Sequence, residues 1–250
     1  MPFKLGKSKP RHNKKTLSLA KYMGYESASL SPAPPKTYWE YKCKNYPMLL
    51  NDQLGCCVFA AGGHLVQEWT VHTVAEVIPS DADILGAYEA VGGYVPGDPS
   101  TDNGAAITDF LAYWSNQGFA GQPKLSGWAA IDQTNLAAVK QAVFLFGALD
   151  IGIQFPNSAM DQFNAGQAWD VVDDDGGIAG GHCIPIMGYG ADGFTVVTWG
   201  KTQQMTNAFF LKYCDEGYGL ISPQWLSVVG TAPNGLDMAA LNADLAALKA

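Results

Sequence analysis

The chain has 250 residues, of which 48% are hydrophobic and 12% aromatic, and its formal net charge is −8 at pH 7. A chain of this size and composition can bury a sizeable core, which excludes a disordered or fibrous protein. No stretch approaches the roughly 18 uninterrupted apolar residues of a membrane span, and the N-terminus lacks the apolar segment of a secretory signal. We therefore expect one large domain, or two closely packed lobes, in a cytosolic protein that contacts no membrane.

The charge is distributed unevenly along the chain. The first 21 residues hold seven basic side chains and no acidic one, so the remaining eight basic and 23 acidic side chains give a balance of −15. Because an acidic body repels nucleic acid, any such contact is expected only through this basic segment. Residues 1–37, here called the arm, end in a proline-containing stretch and cannot form a core alone. The arm is predicted to lie on another acidic surface, such as a neighbouring copy, or to be mobile.

Helical periodicity dominates the sequence that follows the arm. Apolar residues at helical spacing predict a buried helix over Cys56–Val77. Ser80 can cap a helix over Asp81–Val91, and the same reasoning predicts helices over Ala105–Asn116 and Leu136–Phe146. The arm itself has only a short helical pattern at 16–23. The first half of the chain is therefore predicted to be largely helical.

After Gly147 the pattern changes to short β-type runs separated by Gly, Asp and Asn clusters. The predicted strands are Ala148–Phe155, His182–Gly188, Gly193–Thr198 and Ala208–Tyr213. Leucines at positions 236, 241, 245 and 248 predict an amphipathic helix within 233–250 that packs back on a domain spanning 38–232. The predicted fold class is α+β, with a helical N-terminal half packed on an antiparallel β-sheet C-terminal half.

The chain has five cysteines, an odd number, and their spacing is irregular. A chain of this length also does not need disulfides to be stable. Reduced thiols are therefore expected, and no cofactor or metal site is predicted. Cys57 differs from the others because it opens the first predicted helix, where unpaired N–H groups and the positive helix end favour a thiolate. A thiol nucleophile also needs a base and donors for the developing oxyanion.

Two segments resemble the papain-like cysteine peptidases. Asn51-Asp-Gln-Leu-Gly-Cys-Cys57 is similar to the nucleophile segment of that family, and Gly181-His-Cys-Ile-Pro-Ile-Met-Gly-Tyr-Gly190 is similar to its histidine strand. Val197-Thr-Trp-Gly200 stands where the family has Asn-Ser-Trp-Gly. The separation of 125 residues between Cys57 and His182 is close to the roughly 130–150 typical of the family. The resemblance extends from about residue 38 to residue 226.

This resemblance implies a papain-like fold and a thiol hydrolase in which Cys57 attacks an amide and His182 relays the proton. Asn51 takes the position of the family's oxyanion-binding Gln, and Gln53 is a rival donor. The family's orienting Asn is absent, and Thr198 is the candidate for orienting the imidazole in its place. Losing an orienting residue is far less damaging than losing the nucleophile or base, which predicts a slow enzyme rather than an inactive one.

The combination of a basic, proline-containing arm with these motifs is also similar to papain-like proteins encoded by bacteriophages. Two functions follow as alternatives. One is a thiol hydrolase acting on a peptide or protein substrate, with a cell-wall hydrolase as a special case whose wall-binding repeats are absent. The other is a virion structural or accessory protein whose arm contacts neighbouring subunits. The chain before Cys57 is too short for the family's long inhibitory pro-segment, so control is expected from elsewhere, such as a partner that covers the cleft.

Overall fold

The computed structural model of the chain describes residues 3–22, 32–73, 75–228 and 238–247. The first half is largely helical and the second half contributes most of the sheet. The helices are α1 (Cys57–Val71), α2 (Asp81–Gly92), α3 (Ile107–Gln117), α4 (Leu136–Phe146), α5 (Asn157–Asn164), α6 (Asn207–Tyr213), α7 (Pro223–Val228) and α8 (Met238–Ala247).

The strands form one twisted sheet. They are β1 (Leu17–Ser18), β2 (Thr37–Tyr38), β3 (Gly127–Ala130), β4 (Leu149–Pro156), β5 (Ile178–Tyr189), β6 (Gly193–Thr198), β7 (Lys201–Thr206) and β8 (Cys214–Ile221). The order across the sheet is β1-β3-β8-β4-β5-β6-β7, and β2 pairs with β5. Every pairing is antiparallel except the short one between β1 and β3.

The core lies on both faces of this sheet. Helix α1 packs against β5 on one face, where Cys183 and Met187 join the buried side chains of α1, α2 and α3. On the other face, Ile184 and Ile186 join the buried side chains of α4, α5 and α6. Successive side chains of a strand point to opposite faces, so β5 serves both clusters. It therefore lies between the two halves of the core.

One predicted strand is wrong. The run Ala208–Tyr213 forms helix α6, because Thr206 caps it by accepting a hydrogen bond from the Phe209 N–H at 3.0 Å. Phe209, Phe210 and Tyr213 are buried in the core. Aromatic residues favour strands, but the cap and the shared buried face outweigh that preference here.

Two further elements differ from the sequence prediction by more than a few residues or in type. Helix α1 ends at Val71 rather than Val77, because Thr70 Oγ1 accepts a hydrogen bond from the Val77 N–H at 2.8 Å and thereby turns the chain. The short helical pattern at 16–23 becomes β1 followed by a single 3-10 turn at Leu19–Lys21. The strands β3, β7 and β8 and the short helix α5 had no counterpart in the prediction.

The chain's own body provides the surface on which residues 3–22 of the arm lie. Leu19 and Tyr22 are buried in the core. Lys21 Nζ lies 2.6 Å from Asp244 Oδ2, which joins the arm to α8.

Two of the four leucines that predicted the C-terminal helix, Leu236 and Leu248, lie outside the described residues, and the domain boundaries stay a prediction. No helix in the described part of the chain is both long and apolar enough to cross a membrane.

Candidate active site

Cys57 is the first residue of α1 and its side chain is buried, with 1% of the residue exposed. The backbone N–H groups of Cys183 and Gly6 lie near its sulfur and act to lower the pKa of the thiol. Within the described residues the Cys57 N–H has no hydrogen-bond partner, as expected for the first turn of a helix. The thiol therefore lies at a helix N-terminus that still has an unpaired donor beside it.

Burial dominates the electrostatics of this thiol. It raises the pKa of Cys57 from its ordinary value to about 11, although the hydrogen bonds from Cys183 and Gly6 and the charge of Lys7 act in the opposite direction. A helix N-terminus stabilises a thiolate only modestly, whereas a buried charge without a close partner is strongly disfavoured. In this closed arrangement the sulfur is therefore a neutral thiol.

His182 lies on β5 and is fully buried. Its Nε2 lies 2.8 Å from Thr198 Oγ1, and its ring stacks on the indole of Trp199 with the centroids 4.4 Å apart. Burial lowers the pKa of His182 to about 3, so the imidazole is neutral. Among the described residues its Nδ1 is buried without a hydrogen-bond partner. The ring is thus fixed at one nitrogen and stacked on one face, and the other nitrogen remains unpaired.

The Trp199-Gly200 turn explains how this histidine is held. It joins β6 to β7 as a two-residue hairpin loop, and both residues have positive φ, +43° and +76°. A two-residue hairpin favours this type I′ geometry, in which Gly is common but a bulky residue at the first position is strained. Such strain is of the order of 1–3 kcal/mol. This turn conformation places the Trp199 indole flat against the His182 ring. Trp199 follows Thr198, which contacts the same histidine, directly in the chain.

Asn51, the predicted oxyanion donor, is also buried. Its Nδ2 donates to the Leu54 carbonyl at 3.2 Å and to the Lys4 carbonyl at 3.3 Å. Trp199 Nε1 donates to the same Lys4 carbonyl at 3.4 Å. Gln53, the rival donor, is exposed. Two side-chain N–H groups thus converge on one carbonyl of the arm, which is the arrangement that a site for a substrate carbonyl requires.

The arm crosses the cleft beside Cys57 and forms an isolated parallel β-bridge there, between Lys7 and Ala105. Ala105 receives a hydrogen bond to its carbonyl from the Ser8 N–H and donates its own N–H to the Gly6 carbonyl, both at 2.9 Å. The Lys7 N–H donates to the Gly181 carbonyl on the opposite side at 3.0 Å. Main-chain hydrogen bonds therefore hold the arm to both walls of the cleft, as in peptide recognition by strand addition.

Two glycines of the body leave the space that the arm fills. A Cβ at Gly104 would lie 1.7 Å from the Gly6 carbonyl oxygen, and one at Gly152 would lie 1.9 Å from Lys7 Cε. A larger residue at Gly104 would therefore clash with the backbone of the arm, and one at Gly152 would displace the Lys7 side chain. At the other end of the segment, Phe3 stacks on Trp199 with the ring centroids 5.0 Å apart.

Lys7 is a buried basic residue of the arm. Its Nζ lies 3.0 Å from both Asp215 Oδ1 and Glu216 Oε1, and its side chain is fully buried. Burial alone would lower the pKa of Lys7, but the neighbouring charges of Glu216 and Asp215 outweigh it and raise the pKa. Tyr218 donates a hydrogen bond to Glu216 at 2.8 Å. The ammonium group is thus a fully desolvated cation held by two carboxylates.

The structure brings the four predicted site residues to this one cleft, although not through direct bonds between all of them. Thr198 meets His182, and Asn51 meets the arm beside Trp199. Cys57 Sγ lies near the backbone N–H of Cys183, the residue after His182, but no hydrogen bond joins the thiol to the imidazole within the described residues. Their catalytic roles stay predictions.

Sequence reasoning identified the arm but did not place it in the cleft, and it did not identify the acidic pair. Lys7 is one of seven basic residues among the first 21, and nothing in its spacing marks it as the one that enters the body. Asp215 and Glu216 follow the run Ala208–Tyr213, for which the sequence predicts a strand. Two further histidines have structural partners: His64 Nε2 lies 3.0 Å from the Pro47 carbonyl, and His72 Nε2 lies 3.1 Å from Glu68. Among the described residues no cluster of His, Cys, Asp or Glu could hold a metal ion.

Comparison with solved structures gives the architecture a name. Xylellain, a cysteine protease from Xylella fastidiosa, superposes with a TM-score of 0.65 at 15% identity, over 88% of this chain and 97% of that one. The fold is papain-like. Procathepsin B S9 from Trypanosoma congolense superposes with a TM-score of 0.61 at 12% identity, over 88% and 87% of the two chains. A cysteine protease from Carica candamarcensis in complex with E-64 gives 0.54 at 14% identity, over 76% and 99%.

The likeness concerns three-dimensional structure. No family model and no curated protein matches the sequence. Identities of 12–15% establish the papain-like fold, which the sequence motifs predicted, and leave the activity to be argued from the site.

Proposed function

We propose that this chain is a papain-like thiol hydrolase that cleaves a peptide or related amide bond, and that its arm holds it in a closed form. One observation carries the proposal: an extended segment of the arm occupies the cleft directly over Cys57, bonded along its backbone to both walls. A cleft that binds its own chain through main-chain hydrogen bonds on both sides is shaped to bind a peptide.

The proposed reaction begins when the arm leaves the cleft. Water and substrate then reach Cys57, and the burial that raises its thiol pKa to about 11 and lowers the His182 pKa to about 3 is relieved. The proton can then pass from the thiol to the unpaired Nδ1 of His182, giving a thiolate beside an imidazolium. Thr198 holds the ring through Nε2 while this happens.

The thiolate attacks the carbonyl carbon of the scissile amide. Negative charge develops on the carbonyl oxygen, where the Cys57 N–H and the Asn51 amide are the available donors. The carbon–nitrogen bond then breaks, and the imidazolium transfers its proton to the leaving amine. Water, deprotonated by the imidazole, cleaves the resulting thioester and restores the thiol.

The solved structures that share this fold include precursor forms, among them procathepsin B S9 and procathepsin L 3 of Tenebrio molitor. This supports the idea that the closed cleft is a latent state. The covering segment that we expected from a partner is then supplied by the chain itself.

The alternative is a bacteriophage virion structural or accessory protein that keeps the fold without chemistry, located in the host cytoplasm or the particle. The neutral, buried thiol and the absence of the orienting Asn favour it. In that case the arm segments outside the cleft would contact neighbouring subunits.

The deciding experiment uses the full-length chain with Lys7→Glu, which places a carboxylate against Asp215 and Glu216 and should release the arm. The variant is incubated with E-64, an epoxide that alkylates active thiols, and with a fluorogenic protein substrate. We expect stoichiometric labelling of Cys57, located by mass spectrometry, together with proteolysis.

Cys57→Ala and His182→Ala in the same background should abolish both signals. Cys43→Ala is the matched control, because Cys43 is also a free, partly buried thiol and lies outside the cleft. An open cleft without labelling or hydrolysis would exclude the hydrolase and leave the structural alternative.

A further inference from the structure

The pocket that receives Lys7 is built around a positive charge. Its floor is Gly152, which pairs across the sheet with Cys183 on one side and with Glu216 on the other. The absence of a side chain at Gly152 admits the lysine stem. Asp215 and Glu216 then hold the ammonium group, each at 3.0 Å. Shape and charge thus select a long basic side chain at this point of the cleft.

A further carboxylate lies on the same face of β4. Asp150, two residues before Gly152, is fully buried and accepts a hydrogen bond from the Cys183 thiol at 3.1 Å. Its second oxygen has no hydrogen-bond partner within the described part of the chain. Burial raises the pKa of Asp150 to about 7, and the charge of Glu216 adds to that shift. Without a cation in the pocket, these neighbouring acids would repel one another.

An open cavity of about 310 Å³ adjoins the same two acids, Asp215 and Glu216, on the side where the arm leaves the cleft. Gln154 also donates a hydrogen bond to Asp215. The carboxylates are therefore fixed by neighbours on the body and do not depend on the arm for their position. The neighbouring space can accommodate a head group larger than an ammonium.

We propose that this pocket is the specificity site of the enzyme, that it selects a Lys or Arg side chain of the substrate, and that Lys7 occupies it as an internal substitute. The inference rests on the proposed hydrolase function. Gly6 lies over the thiol and Lys7 is the next residue, so the selected basic residue lies within about two residues of the scissile bond, given the length of one extended residue.

The test uses the Lys7→Ala chain, which leaves the pocket empty. Its substrates are neutral decapeptides with a single Lys, Arg, norleucine or Gln moved through successive positions. We expect cleavage at one fixed offset from the basic residue, with kcat/KM about 30-fold or more above that for norleucine or Gln, since truncating one partner of a buried charge pair weakens binding by at least that factor.

Asp215→Asn with Glu216→Gln, made in the same Lys7→Ala background, should bring the four peptides to within about 3-fold of one another. This variant removes the charges of Lys7, Asp215 and Glu216 together, so neither carboxylate that held the lysine is left unpaired and the chain should fold. Glu89→Gln, an exposed acid on α2, is the control and should keep the preference. Equal cleavage of basic and neutral peptides by the Lys7→Ala chain would overturn the inference.

A second measurement does not depend on hydrolysis. In the Cys57→Ala, Lys7→Ala chain, a labelled peptide copying Phe3–Pro10 is compared with the same peptide carrying norleucine in place of its Lys7. At least about 30-fold tighter binding of the lysine form, lost with Asp215→Asn and Glu216→Gln, would support the pocket even if no substrate were cleaved, in which case only the proposed function would fail. Equal binding would overturn the pocket, whether or not the enzyme is active.

Discussion

Two regions of the cleft bury ionisable groups in opposite ways. In the first, which is the reacting side of the proposed function, Cys57 and His182 are buried without a charged partner at hydrogen-bond distance, so burial keeps both neutral, with pKa values of about 11 and about 3. On the pocket side, Lys7 is buried as deeply but remains charged, because two carboxylates lie 3.0 Å away. Burial neutralises a lone group, whereas a well-placed opposite charge preserves ionisation.

This difference indicates how the closed form can be stable and still be opened. The reacting side gains nothing from ionisation until water or substrate enters, whereas the pocket side depends on one cation supplied by the arm. Changing Lys7 should therefore alter both regions at once, the pocket and the surroundings of Cys57 and His182. Changes confined to the reacting side should leave the arm in place.

The largest expected effect comes from reversing the charge at Lys7. Lys7→Glu sets three carboxylates together in a buried site, and breaking a buried pair costs about 3–5 kcal/mol. We expect the rate of Cys57 alkylation by iodoacetamide at pH 7 to rise by at least about 100-fold. Mass spectrometry of the Cys57 peptide measures that rate.

Lys9→Glu is the matched control for this experiment, because Lys9 is on the same segment and is exposed. In Lys9→Glu the alkylation rate of Cys57 should stay within about 2-fold of the wild type, because a surface charge contributes little. If both variants opened the cleft equally, the net charge of the arm rather than the Lys7 pocket would hold it closed.

The next largest effect is the loss of stability in acid that follows from burying His182 as a neutral imidazole. The pKa of His182 is about 3 in the folded chain and 6.5 ordinarily, so between these values the unfolded chain binds the extra proton. Stability from this group is fully present above pH 6.5 and is lost as the pH falls towards 3. At pH 4 the loss amounts to about 3 kcal/mol.

His182→Gln should therefore flatten the dependence of the unfolding free energy on pH between 7 and 4, as measured by urea titration. His12→Gln, a change at an exposed histidine, should leave that dependence unaltered. If His182→Gln kept the wild-type dependence of the unfolding free energy on pH, the imidazole would already be protonated in the closed form. The two regions of the cleft would then not differ in how they bury ionisable groups.

How far the sequence predicted this cleft depends on the range of the contacts. The start of α1 at Cys57, the full span of α4 and the full span of β6 were predicted from local patterns, because capping and periodicity act within a few residues. The motifs also named Thr198, which the structure places 2.8 Å from His182. These features are encoded near the residues that show them.

The arm could not be placed in the same way. The ion pair of Lys7 joins residues about 208 positions apart, and no local pattern separates this lysine from the exposed ones beside it. The positive φ of Trp199 has a similar origin. A tryptophan at that turn position is unfavourable locally and is compensated by stacking on His182 and Phe3, residues that are distant in the sequence.

A smaller effect is expected at the hydroxyl that holds the imidazole. Thr198→Val leaves His182 Nε2 buried without a partner, which should lower the unfolding free energy by about 1–3 kcal/mol. Because the hydroxyl is on the reacting side, the arm should remain docked and Cys57 should remain slow to alkylate. Thr198→Ser keeps the oxygen and should recover most of the stability. Release of the arm by Thr198→Val would show that the region around His182 and the Lys7 pocket are energetically coupled, although they share no hydrogen-bond partner.

The smallest effect should come from the exposed ion pair between Arg11 of the arm and Asp109 of the body. Arg11 Nη1 lies 2.9 Å from Asp109 Oδ2, nearly the same separation as in the Lys7 pair, but 64% and 42% of the two side chains are exposed. Solvent screens such a pair, so Arg11→Ala should change the unfolding free energy by no more than about 0.5 kcal/mol and leave the alkylation rate of Cys57 near that of the wild type. Distance alone would predict similar effects for Arg11 and Lys7. If Arg11→Ala opened the cleft as Lys7→Glu does, the arm would be held by its summed surface charge, and the buried cation would lose its special role.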